Sequence, residues 1–333
     1  MKSAAEMYSP LVSIVIPVYN GSNFLGEAID SALSQTYANI EVVVVNDGSS
    51  DDGETERVAL SYGDKIRYFS KENGGSSSAL NCGIKNMNGE WFSWLSHDDL
   101  YYPTKVEEQV KVLRKLYAAY ENEDCLRNNV LFTACEFVNE NGTTLRCDSD
   151  KFISEMSSAL KTMLGNEYLV AEPTRYIFHG CGCLVHKSVF DKVGAFDEKL
   201  RLLNDVDLWY RIYTGGYKIQ YVPLVLVKGR VHAKQVSRSI GYSYHNPEQD
   251  MVWNRSLDWL KDKCPDNFEV FYLYGKNAYS KTRFAEGKLA FEQAKRIDNK
   301  KWLKLACTGM LCSCKAKGMA LLKKVYMFLS HIR

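Results

Sequence analysis

No stretch of the chain reaches the roughly 18–20 uninterrupted apolar residues that a bilayer span needs, so a chain that does not cross a membrane is expected. The amino-terminal residues also lack the apolar core of a secretory leader. A strong charge of one sign is missing: 42 Lys and Arg face 40 Asp and Glu, a formal net charge of +2, which gives no general reason to expect nucleic acid as a partner. There is no GxGxxG turn after a strand and no GxxxxGK[ST], which disfavours a dinucleotide dehydrogenase and a P-loop enzyme. Internal repeats and low-complexity segments are absent too. The ten cysteines are scattered among apolar runs, and the CxC pairs Cys181/Cys183 and Cys312/Cys314 lack the spacing of a structural zinc site. They read as reduced, packing thiols, which implies the cytoplasm.

What is present is the balance of a folded protein, 46% hydrophobic and 25% charged over 333 residues, enough for one large α/β domain and a smaller appendage. Val12–Val18 is a β-branched run closed by Tyr19-Asn20-Gly21, a buried strand ending in a turn. A helix with Ser22 as its N-cap follows, then strands over Ile40–Val45, Lys65–Phe69 and Trp91–Leu95, with a helix over 75–86 before the last of them. This alternation predicts a mostly parallel sheet with helices on both faces. A helix is expected from Pro103 to about Tyr117, and a type I′ hairpin at Asn141-Gly142 makes the sheet mixed. Residues 181–186 read as a strand, Asp205–Tyr213 as a helix, and Lys218–Val231 as a strand pair broken at Pro223. From about 246 the pattern is helical, so residues 1–240 are expected to form one domain and 241–333 a helical region. The stretch Lys300–Arg333 carries no acidic residue and reads either as a packed helix with a basic face or as a membrane-surface helix.

In an open α/β sheet, ligands bind beyond the carboxyl ends of the strands. Those ends are Tyr19-Asn20, Asn46-Asp47 and Asp98-Asp99. Asp47 either caps the following helix or accepts a hydrogen bond from a base N–H. Asp98 and Asp99 follow a run of bulky apolar residues, where two unpartnered charges would be costly. Neighbouring side chains on an extended segment diverge, so one carboxylate can face a ribose and the other a hard cation such as Mg²⁺ or Mn²⁺; the competing reading is a pair of capping acids. His97 reads as an exposed loop residue, and His179 either lines an acceptor pocket or is a core histidine.

The quoted segments Val12–Asn20, Val45–Asp51, Asn73-Gly-Gly, Asn81–Ile84 and Asp98-Asp99 occur in the order found in inverting family 2 glycosyltransferases, which the chain resembles over about residues 11–240. The resemblance implies the GT-A nucleotide-sugar fold, a three-layer α/β/α sandwich. It also implies that Pro17, Tyr19 and Asp47 surround the base, that Asp98 contacts the ribose, and that Asp99 binds the metal. The motif residues Asn20, Asn73 and Asn81 belong with the nucleotide side. Lys192–Glu198 and Asn204–Arg211 are similar to the acceptor-side segment, where Asp205 matches the catalytic base; His179 and Asn204 are candidate acceptor-side residues, and Trp209 reads with Asp207 as orienting the helix that carries Asp205, with stacking on an acceptor sugar as its alternative. Arg230–Ser237 resembles the closing motif, in which His232 completes the metal or diphosphate site. The chain departs from the pattern at Ser96, where many members have Asp, at Asn204, where Glu is usual, and at Leu80, where Arg often stands.

The implied reaction is a single displacement at the anomeric carbon, with Asp205 as general base and Mn²⁺ or Mg²⁺ at Asp99 neutralising the leaving diphosphate. The donor is expected to be a UDP-sugar and the acceptor a glycan or lipid-linked hydroxyl in surface-polysaccharide assembly. The enzyme would be cytoplasmic, and its helical tail would make peripheral contact with the cytoplasmic face of the inner membrane or form a homodimer contact. Two other readings stand beside this one: a sugar-phosphate nucleotidyltransferase, which would need a basic phosphate loop where Asn20-Gly21-Ser22-Asn23 stands, and a nucleotide-sugar-binding scaffold with weak turnover.

Overall fold

The computed structural model describes residues 8–120, 122–147, 178–233, 235 and 247–305. Expectations that fall on 148–177, on 236–246 and on 306–333, including much of the acceptor loops and the basic stretch, lie outside the described residues. The chain divides into two compact units, one comprising 1–163 with 176–242 and the other 164–175 with 243–333.

The first unit is built on a nine-stranded mixed sheet. Its parallel half holds β1 (Val12–Val18), β2 (Ile40–Asn46), β3 (Arg67–Ser70) and β4 (Trp91–Trp94) in the spatial order β3-β2-β1-β4. β1 is buried along its whole length, as expected of a strand covered on both faces. The helices α1 (Ser22–Leu33) and α2 (Glu54–Leu60) link strands stepping one way along the sheet, and α3 (Ser76–Asn86) steps back past β1. Right-handed crossovers therefore place α3 on the face opposite α1 and α2. The order reverses between β1 and β4, which opens a crevice at the carboxyl ends of those strands. Gly21, not Ser22, occupies the N-cap of α1, and no side chain caps it.

The other half is mixed. After the two-residue strand β5 (Leu100–Tyr101) come α4 (Lys105–Tyr120), α5 (Glu123–Arg127) and β6 (Asn129–Asn139). A hairpin leads to β7 (Thr144–Cys147), followed by β8 (Leu184–His186), α6 (Ser188–Val193), α7 (Asn204–Thr214) and β9 (Lys218–Val231). The hairpin is not type I′: Gly142 has φ 79° but Asn141 keeps a negative φ, and Asn139 Oδ1 accepts from the N–H groups of Asn141 and Thr143 to shape a longer loop. Pro223 does not break β9. The register skips from Thr133↔Val222 to Ala134↔Val225, so the proline is absorbed in a bulge where no ladder N–H is required.

Among its described residues the second unit holds α8 (Pro247–Lys263), α9 (Phe268–Ser280) and α10 (Phe284–Ile297), followed by helical residues from 299 to 305. Trp253 meets Tyr274 edge-on at 5.1 Å, and the Tyr274 hydroxyl donates to the Trp253 carbonyl at 2.7 Å. No described helix in either unit is long and apolar enough to cross a membrane.

Close approach of α3 to β1 depends on Gly83, because a Cβ there would lie 2.2 Å from Val15 Cγ1. Alanine in a helix gains roughly 1 kcal/mol over glycine, but forcing a methyl into a packed core costs about 1–3 kcal/mol. Val15 is fully buried and has no room to yield. Gly83→Ala is expected to lower the urea midpoint of the first unit, whereas propensity alone would raise it.

Candidate active site

Asp99 stands just beyond β4, 4% exposed. Its Oδ1 accepts from the backbone N–H of Arg230 at 2.8 Å, and its Oδ2 accepts from the Cys181 thiol at 3.1 Å and lies 3.8 Å from His179 Nε2. Burial first, and then the neighbouring Asp98 charge, push the Asp99 carboxyl well above the usual carboxylate range. Asp98 goes the other way: burial raises it, but the bond from His232, the nearby His97 and the amide of Gln235 together pull it below its ordinary value. His232 Nε2 lies 2.9 Å from Asp98 Oδ2, and Gln235 Nε2 donates to the same oxygen at 3.2 Å. His232 thus partners Asp98, while the donor atoms that cluster with Asp99 come from His179 and Cys181, all within 4.8 Å of one another.

The segment carrying those two donors is held from beneath. Residues Gly180–Gly182 form a 3₁₀ turn whose glycines press against the sheet: a Cβ on Gly180 would lie 2.5 Å from the Trp94 ring, and one on Gly182 2.9 Å from the Thr133 carbonyl. Two fully buried side chains of α4 tie the turn down, Gln109 Nε2 donating to the Gly182 carbonyl at 2.9 Å and Lys105 Nζ to the Cys183 carbonyl at 3.0 Å. Burial lowers the Lys105 pKa to about 8, and its ammonium rests 4.2 Å from the centre of the Tyr101 ring.

The strand ends at β1 and β2 form the adjoining wall. Asn20, in the left-handed region at φ 48°, accepts from Ser50 N–H at 2.7 Å through Oδ1, and its own N–H donates to Ser49 Oγ at 2.9 Å. Pro17 is buried at the end of β1, and Tyr19 leaves its ring 46% exposed at the rim. Asp47 is 2% exposed, and its oxygens accept from Lys71 Nζ at 2.8 Å, from Gly74 N–H and from Gly75 N–H at 2.7 Å. Three donors already engage the carboxylate, so Asp47 locks the turn of residues 73–75 against β2 and offers a base little free acceptor capacity. Asn73 closes the same turn by donating to the Asp47 carbonyl at 2.9 Å. His97 is half-buried rather than exposed: it bonds the Pro17 backbone and fills the space that a Cβ on Gly21 would need, 2.2 Å away.

Asp205 is the second residue of α7, its Oδ1 accepting from the Val206 N–H at 2.7 Å. Burial raises its pKa to about 6, against the lowering effect of that N–H and of His179. Asn204 is buried behind it, donating to Ser77 Oγ at 3.0 Å and accepting from the Asp205 N–H at 2.9 Å, so it braces the base from the α3 side. Two assignments change. Trp209 is 1% exposed and meets Phe132 edge-on at 4.8 Å, a core contact that leaves no face for an acceptor sugar. Asn81 bonds the Phe196 backbone both ways at 2.9 Å, so it anchors the segment before α7 instead of reaching a nucleotide.

Pattern reading gives Cys181 a packing role, overlooks Lys71 and Lys105, and assigns nothing to Arg230 beyond its motif. For Cys181, the spacing His179-Gly-Cys181 is the available signal. Arg230 is 5% exposed and reaches the Asp98 carbonyl at 3.0 Å, the Glu140 carbonyl at 3.0 Å and Glu27 Oε2 at 2.7 Å.

A family profile described as "Glycosyl transferase family 2" matches residues 13–194. An uncharacterized glycosyltransferase of Rickettsia felis is 48% identical over 261 residues, which are 78% of this chain and 40% of that protein. The chain therefore spans about 40% of the length of that curated relative. TarS 1-349 of S. aureus in complex with UDP-GlcNAc superposes with a TM-score of 0.59 at 15% identity, covering 86% of this chain and 83% of its own. The mannosyltransferase PcManGT from Pyrobaculum calidifontis, in complex with GDP-Man and Mn²⁺, gives a TM-score of 0.53 at 16% identity, covering 97% and 85%. At those identities the two solved structures establish a shared GT-A type fold.

Asp207 is 1% exposed and accepts from Arg211 Nε at 2.8 Å, while the Arg211 fork also spans the carbonyls of Val193, Gly194 and Ala195. Removing one partner of such a buried pair typically costs about 3–5 kcal/mol. Because Arg211 is partly exposed, about 3 kcal/mol is expected for Arg211→Ala in chemical denaturation. Arg211→Lys should recover less than half of that, since an ammonium lacks the planar fork.

Proposed function

The chain belongs to glycosyl transferase family 2, and from that premise we propose that its site transfers a sugar from a nucleoside-diphosphate sugar, by default a UDP-sugar, to a hydroxyl of a glycan or lipid-linked acceptor with inversion at the anomeric carbon. The carrying observation is the juxtaposition of two differently tuned acids, Asp99 among possible cation ligands and Asp205 with a pKa raised to about 6, with His179 acting electrostatically on Asp205 and lying 3.8 Å from Asp99. The nucleotide-sugar complexes of the two fold neighbours support a donor of that class.

In this reading Pro17, Tyr19, Asn20 and Asn73 frame the nucleoside, Asp47 fixes the shape of that wall, and Asp98, oriented by His232 and Gln235, faces the ribose. The oxygen of Asp99 and the nitrogen of His179 suit a divalent cation such as Mn²⁺ or Mg²⁺, and the burial of Asp99, only partly offset by its bonds from Arg230 and Cys181, is what such a charge would relieve. When bound, that cation supplies positive charge to the departing diphosphate. Asp205 takes the proton from the acceptor hydroxyl as its oxygen attacks; a pKa near 6 makes it a better base than an ordinary aspartate while leaving it mostly ionised at neutral pH. Asn204 and Ser77 hold the start of α7, and with it Asp205, in place.

The wider assignment follows the same premise: residues 1–240 carry donor binding and catalysis, and 241–333 form an accessory helical region that touches a membrane surface or a second copy. The basic stretch Lys300–Arg333 supports the membrane contact, which would suit a cytoplasmic enzyme of surface-polysaccharide assembly.

The test is a release assay over a panel of nucleotide sugars, with and without Mn²⁺. Turnover with one donor that is independent of divalent cation would overturn the role of Asp99. Asp205→Asn should lower kcat by roughly 10²–10⁴-fold while donor affinity stays within about two-fold, because a general base contributes in that range and the amide preserves shape. Donor binding with no wild-type turnover on any acceptor would favour the scaffold reading. The sign of the pH dependence follows from the base: protonated Asp205 is inactive, so kcat/KM should rise with pH along a limb near 6 and level above it. A limb near the ordinary aspartate value of about 4 would place the base elsewhere.

A further inference from the structure

Cys181 is 1% exposed, yet its surroundings are polar, unlike those of a packing thiol. Its Sγ donates to Asp99 Oδ2 at 3.1 Å, accepts from the Ser96 N–H at 3.2 Å and lies 3.4 Å from Ser96 Oγ. Its donor atom, that of Asp99 and that of His179 lie within 4.8 Å of one another, close enough for a small inward shift of the side chains to bring all three onto a single ion. The turn that carries two of the three is immobilised by Gln109 and Lys105 below and by the absence of side chains on Gly180 and Gly182. Such bracing is what a preorganised ligand set requires, and a merely space-filling cysteine has no need of it.

We propose that Cys181 is itself a metal ligand, forming with Asp99 and His179 an oxygen, nitrogen and sulfur site that selects thiophilic divalent cations, Co²⁺ and Zn²⁺ above Mn²⁺ and all three above Mg²⁺. The inference deepens the assignment of a cation to Asp99 and rests on it. On coordination the S–H bond is replaced by a bond from sulfur to the ion, the proton leaves to solvent, and no electron changes hands. Carboxylate and thiolate together balance the two charges of the ion, with imidazole as the neutral third ligand. That leaves a coordination position for a donor phosphate oxygen, as catalytic sites with three protein ligands do. A thiolate disfavours Mg²⁺, which seeks hard oxygen ligands, and favours the later first-row ions. Ser96 adds no negative charge to the site and turns its N–H toward the sulfur.

The experiment is a titration of the full chain with CoCl₂ in the presence of UDP, followed by absorption. The wild type should show a thiolate-to-cobalt charge-transfer band in the near ultraviolet together with visible ligand-field bands, and a tenfold excess of Mg²⁺ should not displace the cobalt. Cys181→Ser should lose the charge-transfer band and bind Co²⁺ roughly ten-fold or more weakly, since even outer-shell changes cost about 10–100-fold. Cys183→Ser, from the same turn, should keep the band, and Asp99→Asn should lose both sets. Visible bands that depend on Asp99 without any charge-transfer band would overturn the thiolate ligand and leave the Asp99 cation standing. Displacement of cobalt by equimolar Mg²⁺ would overturn the selectivity, a readout on wild type that needs no variant to fold. No Asp99-dependent binding of Co²⁺ or Mn²⁺ at all would remove the cation assignment itself.

Discussion

The arrangement depends on how one carboxylate is kept buried. Asp99 sits where β4 has ended, almost without solvent, and a charge in that position must be met by fixed donors or be driven neutral. The chain meets it from segments remote in sequence: the N–H of Arg230 at the end of β9 and the thiol of Cys181 on the turn before β8. The long β6–β9 ladder and the bulge at Pro223 bring residue 230 to that point, and the β4–β8 pairing brings the 179–183 turn. Arg230 is then anchored by Asp98, Glu140 and Glu27, so the local geometry around the acid is transmitted to three elements at once.

Around that point the two halves of the sheet divide the work. The parallel half closes a wall with backbone and small polar groups, through Asn20 to Ser49 and Ser50 and through Asp47 to Lys71, Gly74 and Gly75. These contacts stiffen loops that would otherwise be mobile at the edge of a crevice. The mixed half is braced differently, by buried polar side chains reaching backbone carbonyls. Gln109 and Lys105 hold the 180–183 turn, and Arg211 holds residues 193–195. Lys105 is costly to bury without a carboxylate partner, and burial accordingly lowers its pKa to about 8; its amine hydrogen bonds and its contact with Tyr101 offset part of that cost.

Much of the fold is legible in the sequence because hydrophobic period and turn chemistry are local signals. β1, β2, α3 and β4 carry them in full, and the residues that close those strands, Asn20, Asp47, Asp98 and Asp99, are picked out by local pattern alone. Errors arise where a local pattern is ambiguous about surroundings. Trp209 looks the same in sequence whether it stacks on a sugar or meets Phe132 edge-on, and Asn81 the same whether it meets a nucleotide or the Phe196 backbone. His97 reads as exposed between a serine and an acid, yet it fills the gap left by Gly21, a contact with a residue on another strand end.

By itself, then, the sequence determined the βα alternation, the family and the acids at the strand ends, since each follows from neighbours within a few positions or from motifs in order. Tertiary structure alone decided which groups face those acids. His232 went to Asp98, His179 and Cys181 came to Asp99, and Asp205 acquired a pKa of about 6. The reason is that desolvation and hydrogen bonding depend on distances between segments 82 to 134 residues apart. No periodicity in the chain encodes those distances; packing of the mixed sheet sets them.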